Sequence, residues 1–342
     1  MTAAPQDAQA PPVTVVLTWL YVPGDRPEVV AKALCCGADV VLVDLEDAVS
    51  PGRKDYALRA TAELLSDAAP GPVPVHVRVN ALDGPRAETE IRTLAGLPGL
   101  AGLRLPKVQG PADVLRALDW ATTPPPAAPV PYAPGASTRR TARRTLVGPL
   151  PTGPTTTGRT TATLAPAPPG RPSPSGPARA PALHALLESA LGVEHAFAIA
   201  TAHPAVRGIA LGEADLAAEL RLRDETGLTW ARGRTVNAAH AAGLAPPPQS
   251  VYRDIRDLEG LARSCAQGRA LGFLGRAAIH PRQLPVIESA HLPGPEEIEA
   301  AEEIVRAAAT DAGALALPDG RFVDAAVVAG ARQVLALAGR RR

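Results

Sequence analysis

Aromatic residues make up only 3% of this 342-residue chain, which also has just three cysteines and one methionine. Any core must be built from alanine, valine and leucine, and the 46% hydrophobic content supplies enough of them. Three cysteines are too few for a disulfide framework, and the adjacent Cys35 and Cys36 would need a strained ring to pair with each other. They fall in a helical stretch that reads as core. No apolar run reaches the ~18 residues that span a bilayer, so no membrane association is expected. Segment 1–12 has neither the basic, apolar pattern of a secretion signal nor an arginine, which makes the cytoplasm the expected location. A net charge of +1 gives no overall case for nucleic acid as a partner. Acidic residues are missing altogether from 123–182, where Pro, Thr, Arg and Gly dominate. Proline at that density propagates neither helix nor sheet, so this stretch is expected to be a disordered surface insertion. Its seven arginines leave open an attraction for anions.

Elsewhere apolar runs alternate with amphipathic stretches in the manner of βαβ units. Strands are expected at 15–22, 39–44, 73–79, 100–105, 183–187, 206–211, 250–252 and 275–279. The main helices between them are expected at 26–36, 54–66, 88–97, 112–121, 193–202, 230–242 and 257–270. Eight strands in this alternation predict a (β/α)8 TIM barrel. A loose tail at 1–12 precedes its halves, 13–122 and 183–292, which the insertion separates. Ala245-Pro246-Pro247-Pro248 makes the seventh strand the poorest of the eight. Helices at 295–309 and 325–338, joined by the turn Pro318-Asp319-Gly320, form a C-terminal helical extension over 293–342.

The richest stretch runs from Ala38 to Asp47, an apolar strand that ends in the acids Asp44, Glu46 and Asp47. Runs apolar enough to be buried on both faces are what parallel sheets use. Acids at their C-terminal ends sit where α/β folds put their chemistry. The arrangement recurs: 182–187 runs into Glu188, and 206–211 into Glu213 and Asp215. Taken singly, such an acid is as readily a helix cap or a surface charge. Several converging carboxylates suit a hard cation, and Glu188 and Asp215 are the first candidates as its ligands. The absence of His-x-x-x-His and Cys-x-x-Cys spacing argues against zinc and leaves Mg²⁺ the better fit.

Arg78, alternating with valines in 75–79, needs a partner if buried. That partner is a substrate carboxylate, or Asp44 or Glu46. Lys107 is either a Schiff-base lysine or an ion-pair partner for the acids. Gly24 allows close backbone approach at the first strand end, where Arg26 and Lys32 could hold phosphate. His280 reads equally as a buried imidazole and as a catalytic one.

With these residues in view, the chain resembles the citrate lyase beta-subunit-like CoA-ester lyases of the HpcH/HpaI aldolase superfamily. The matching stretches are Leu20-Tyr-Val-Pro-Gly-Asp-Arg-Pro27, Val43-Asp-Leu-Glu-Asp-Ala-Val49, Val77-Arg-Val-Asn80 and Leu105-Pro-Lys-Val108. They continue with Leu186-Leu-Glu-Ser-Ala190, Leu211-Gly-Glu-Ala-Asp-Leu216, Tyr252 to Gly260 and Ala278-Ile-His-Pro281. The resemblance implies a TIM barrel, commonly trimeric, with Mg²⁺ held at Glu188 and Asp215. It implies a substrate carboxylate at Arg78, with Glu46 and Asp47 supporting the metal waters and the substrate pocket. Arg26 and Lys32 would contact the CoA phosphates, with Tyr21 beside them. Asp324, in Arg321-Phe-Val-Asp324, would come from the adjacent subunit and move the proton at the thioester α-carbon. The implied reaction is cleavage or formation of a β-hydroxyacyl-CoA such as malyl-, citramalyl- or citryl-CoA. The alternatives are an aldolase on free hydroxy-keto acids, a malyl-CoA thioesterase, and a non-catalytic CoA-binding protein.

Overall fold

Val40-Val41-Leu42-Val43 is β-branched at three of four positions, which favours extended backbone. It forms strand β2 (Val40–Asp44), buried along its whole length. Six further strands of the same kind surround it: β1 (Thr18–Pro23), β3 (Val75–Arg78), β4 (Leu100–Leu105), β5 (Ala182–Leu187), β6 (Val206–Leu211) and β7 (Arg276–Ala278). They form one sheet in the order β6-β5-β4-β3-β2-β1-β7, every pair parallel. This computed structural model describes residues 15–123, 180–310, 315–316 and 320–341.

Parallel neighbours need crossovers, and helices supply them. They are α1 (Pro27–Ala33), α2 (Lys54–Leu65), α3 (Ala87–Leu94), α4 (Pro111–Thr122), α5 (Ala190–Glu194), α6 (Ala196–Ala200), α7 (Glu213–Glu219), α8 (Thr229–Ala241), α9 (Leu258–Ala270) and α10 (Leu284–His291). Side chains of one strand face, among them Val41, Val43, Val77, Leu103, Leu105 and Leu187, join Val30, Ile91, Val114, Ile199, Leu261 and Ile287 of the helices in one apolar cluster. Burial of each such Leu or Ile stabilises by about 1.5–3 kcal/mol. With period two, the alternate residues Tyr21, Asp44, Arg78, Arg104 and Leu186 are turned to the opposite face.

Several expectations need correction. The strand expected at 250–252 does not form; its place is held by a single parallel bridge, Gln249 to Arg276. Pro246, Pro247 and Pro248 have no amide N–H to extend that ladder, so the parallel sheet of the described residues has seven strands where eight were expected. The helix expected over 26–36 stops at Ala33. Cys35 and Cys36 therefore lie in turns rather than in a helix facing the core: Cys35 is exposed and Cys36 half-buried, while Cys265 is buried. The helix expected over 193–202 divides into α5 and α6, its start capped by Ser189, whose Oγ accepts from the Gly192 N–H at 3.1 Å. The tail at 1–12 and nearly all of the insertion at 123–182 lie outside the described residues, although β5 already begins at Ala182.

Helices α11 (Pro295–Thr310) and α12 (Ala325–Ala338) follow at the C-terminus, with a two-residue antiparallel pair, Leu315–Ala316 with Phe322–Val323, between them. The turn expected there falls outside the described residues except for Gly320, whose φ of 87° suits glycine. No helix of the described residues is long and apolar enough to cross a membrane.

Candidate active site

The C-terminal ends of all seven strands line one cavity of ≈ 470 Å³. Asp44 closes β2 and is fully buried. Its Oδ1 accepts the Glu46 N–H at 2.9 Å and its Oδ2 the Ala48 N–H at 3.1 Å, which turns the chain back on itself and aims Glu46 inward. Asp44 also receives the fork of Arg78, Nε at 2.8 Å and Nη2 at 2.6 Å. The remaining Arg78 nitrogen, Nη1, lies 2.9 Å from Glu46 Oε2, an ion pair not aligned as a hydrogen bond, and 3.3 Å from Asp47 Oδ2. The guanidinium also lies over the Tyr21 ring, 5.2 Å from its centroid. Burial alone would depress the Arg78 pKa, but the Asp44 hydrogen bonds and the Asp44 and Glu46 charges outweigh it and hold the group above its ordinary value. Of the partners open to Arg78 from sequence, the structure shows Asp44 and Glu46, with Asp47 added.

Lys107 ends the turn after β4 with a positive φ of 54°, which for a non-glycine residue costs of order 1 kcal/mol. That conformation lets one residue hold two acids. Its Nζ pairs with Glu46 Oε1 at 2.7 Å, and its backbone N–H donates to Glu188 Oε2 at 2.9 Å. The ion-pair role is therefore the one the geometry realises. Burial raises the Glu46 pKa despite the opposing Arg78 and Lys107.

Glu188, just past β5, is pushed up to about 7, first by burial and then by the Glu46 charge, with Asp215 adding to it and Arg78 opposing. Its Oε1 has no hydrogen-bond donor among the described residues. Gly212 follows β6, and a Cβ there would lie 2.4 Å from Glu188 Cγ and 2.7 Å from Oε1. Glycine is what leaves the carboxylate its room. Asp215 sits in the first turn of α7 and lines the same cavity. Among the described residues no group of three or more His, Cys, Asp and Glu is placed to hold a metal ion. Of the four carboxylates that line the cavity, Asp44 and Asp47 are paired with Arg78, which leaves Glu188 and Asp215.

Other expected site residues are not brought here. Arg26 and Lys32 are exposed at α1, outside the cavity lining, and neither side chain has a partner among the described residues. Asp324 does not line the cavity; its Oδ1 caps α12, accepting the Ala326 and Val327 N–H groups at 2.9 Å each. His280 caps a short turn through Nδ1, which accepts the Arg282 N–H at 3.1 Å.

Sequence reasoning missed a supporting network. Lys54 Nζ donates to the Leu45 and Glu46 carbonyls at 2.9 and 2.8 Å and to Asn80 Oδ1 at 2.6 Å. Asn80 in turn donates from its amide N–H to Glu90 at 2.7 Å. This network fixes the 45–46 backbone from behind. No local motif announces it, because its members come from three separate elements. Arg104 was missed too, although it alternates with leucines in the pattern that singled out Arg78.

A protein-family description, HpcH/HpaI aldolase/citrate lyase, matches residues 17–281. Citrate lyase subunit beta of Leuconostoc mesenteroides subsp. cremoris is 30% identical over 94% of this chain and 92% of its own length. A (3S)-malyl-CoA thioesterase of Cereibacter sphaeroides is 31% identical over 93% of each. Among solved structures, Mycobacterium tuberculosis CitE in complex with magnesium, acetoacetate and coenzyme A superposes with a TM-score of 0.68 at 27% identity, covering 95% of this chain and 99% of that one. The citrate lyase beta subunit of the same organism with oxaloacetate and magnesium gives 0.58 at 26% identity, covering 82% and 98%.

Proposed function

Because the chain belongs to the HpcH/HpaI aldolase/citrate lyase family, we propose that it is a cytoplasmic, Mg²⁺-dependent carbon–carbon lyase. It cleaves or forms a β-hydroxyacyl-CoA such as malyl-, citramalyl- or citryl-CoA, with acetyl-CoA and an α-keto acid as the other side of the reaction. The observation that carries this reading is the Glu188–Asp215 pair lining the cavity. One member is buried, its carboxyl raised to about 7 and one oxygen free. Such a pair fits a small hard cation that takes its remaining ligands from substrate and water. Bound Mg²⁺ supplies Lewis-acid polarisation of the hydroxyl or keto oxygen.

The chain's own residues do the rest. Arg78 is locked by Asp44, so its Nη1 edge faces the cavity in a fixed direction. Asp47 is 62% exposed and only 3.3 Å away, which makes it the partner a substrate carboxylate displaces. Glu46, held by Arg78 and Lys107, keeps those two cations in place. Cleavage removes the hydroxyl proton, breaks the Cα–Cβ bond and places a proton on the thioester α-carbon. Asp324 of a neighbouring copy in a homotrimer is assigned that last transfer, its Oδ2 being free of the cap. Arg26 and Lys32, exposed and without partners, are assigned to the CoA phosphates beside Tyr21. The fold reads as a (β/α)8 barrel whose eighth stave is the segment through Gln249, supported by its bridge to Arg276.

Turnover of malyl-, citramalyl- and citryl-CoA with and without Mg²⁺ tests the proposal. The expected result is acetyl-CoA release from at least one substrate, lost on chelation. No cleavage of any of them by folded protein sinks the lyase reading. The Cereibacter relatives favour a second reading, thioester hydrolysis, which the same assay would report as free CoA. Gly212→Ala provides a narrower check. Its Cβ displaces the Glu188 carboxylate, and Mg²⁺ affinity by calorimetry is expected to fall at least about tenfold. Unchanged affinity would remove Glu188 from the ligand set.

A further inference from the structure

Arg104 is the anomaly of the cavity. It is 3% exposed on β4, beside Arg78 on one side and His184 on the other in the strand register. Its Nε is buried without a hydrogen-bond partner, and no carboxylate pairs with it among the described residues. Its guanidinium lies over the Trp19 ring, 5.7 Å from the centroid. Asp44, the nearest strand-borne acid on this face, already holds Arg78 by two hydrogen bonds. The other fully buried arginine, Arg276, behaves as a structural residue should. It gives Nε to the Ser250 carbonyl and Nη2 to Ser264 Oγ, each at 2.9 Å.

Leaving a guanidinium in a dry interior without an anion is costly. Neighbouring groups do not relieve it: burial holds His76 down to about 3 and His184 well below its usual value, so both rings stay neutral. The cavity it lines has room, because β6 and β7 contribute the small side chains Ala210 and Ala277 to the lining. Arg104 also lines the same cavity as Glu188 and Asp215.

We propose that Arg104 receives a second carboxylate on the acyl group of the substrate. The α-keto acid released would then carry a distal carboxylate in addition to the one beside its keto carbon. This rests on the lyase reading and narrows its substrate class. With Arg78 held by Asp44 and Glu46 and its Asp47 side assigned to the first carboxylate, Arg104 is the cavity cation with unspent donors, and a carboxylate matches its planar fork.

Citryl-CoA and citramalyl-CoA provide the test, since they differ only by that carboxylate. The wild type is expected to favour citryl-CoA in kcat/KM by at least tenfold. Arg104→Met is expected to lower kcat/KM for citryl-CoA by about 100-fold, a loss at least thirtyfold greater than its loss on citramalyl-CoA. Equal losses on both, or no wild-type preference, overturn the proposal. A second readout needs no turnover: the thermal stabilisation given by oxaloacetate against pyruvate, each with Mg²⁺, for both proteins. If no CoA ester is cleaved but oxaloacetate stabilises selectively and Arg104→Met abolishes this, the lyase reading falls and the carboxylate receptor stands. If cleavage occurs with the same preference in both proteins, the receptor falls and the lyase stands. A purely structural Arg104 predicts a less stable variant. An unpaired one predicts a ligand-free variant at least as stable as the wild type, and a clear loss of melting temperature would count against the proposal.

Discussion

Glu188→Gln is expected to lower activity by at least about 1,000-fold and abolish stabilisation by Mg²⁺, while making the metal-free protein more stable at alkaline pH. The sign follows from the titration. The Glu188 carboxyl takes up its proton near pH 7 in the folded chain, against an ordinary glutamate value of 4.5. The folded state therefore binds the extra proton between those limits. The stability tied to that proton is fully present below pH 4.5 and is lost as pH rises through about 7. At pH 8 the loss is on the order of 3 kcal/mol. Glutamine is neutral at every pH and escapes it. Urea unfolding of both proteins without metal at pH 5 and pH 8 measures this directly, with the curves expected to separate only at pH 8. Equal stability at pH 8, or a Mg²⁺-induced shift that persists in the variant, would contradict both the buried charge and its role as ligand.

Arg78→Met is expected to cost about 3–5 kcal/mol of unfolding free energy, along with activity. Removing the guanidinium leaves Asp44 and Glu46 buried without their main cation, and Asp44 keeps only the N–H groups of Glu46 and Ala48. Adding Asp44→Asn removes one of the stranded charges, so the double variant is expected to be more stable than the sum of the single losses. Strict additivity in that cycle, or a loss under 1 kcal/mol for the single variant, would show that the fork is not what holds the turn. Arg78→Lys is expected to recover part of the stability, because a point charge replaces only one of the fork's contacts.

The parts of this fold that were legible in sequence are those decided by local pattern. Val40–Asp44, Leu100–Leu105 and Val206–Leu211 are short apolar runs bounded by turn residues, and each is a strand. The acids at the ends of β2, β5 and β6 converge as strand ends in a parallel sheet must. What escaped depends on contacts between distant elements. Gln249 makes one bridge and no strand, because the prolines before it remove donors from a position the repeat otherwise demanded. The Lys54–Asn80–Glu90 network draws on α2, α3 and the end of β3, and nothing in any one segment marks it. Arg104 was legible in principle, since it carries the same signature as Arg78. Only the structure separates a paired arginine from an unpaired one. Asp324 is recognisable by resemblance, yet within its own chain it serves as a helix cap.

The lining of the central cavity also bears on the order in which the proposed ligands would bind. Four carboxylates, Asp44, Asp47, Glu188 and Asp215, and two arginines line it. An acid approaching that cavity empty meets a field that turns it away, and low-dielectric walls strengthen the effect. A dication meets the opposite field and is drawn in. Its two positive charges would cancel the excess of four carboxylates over two guanidinium groups, which removes the repulsion and leaves Arg78 and Arg104 to sort the anions. On the proposed function the site is a lock with two turns: the cation is expected to enter first, and the anionic substrate to follow once the excess negative charge is cancelled.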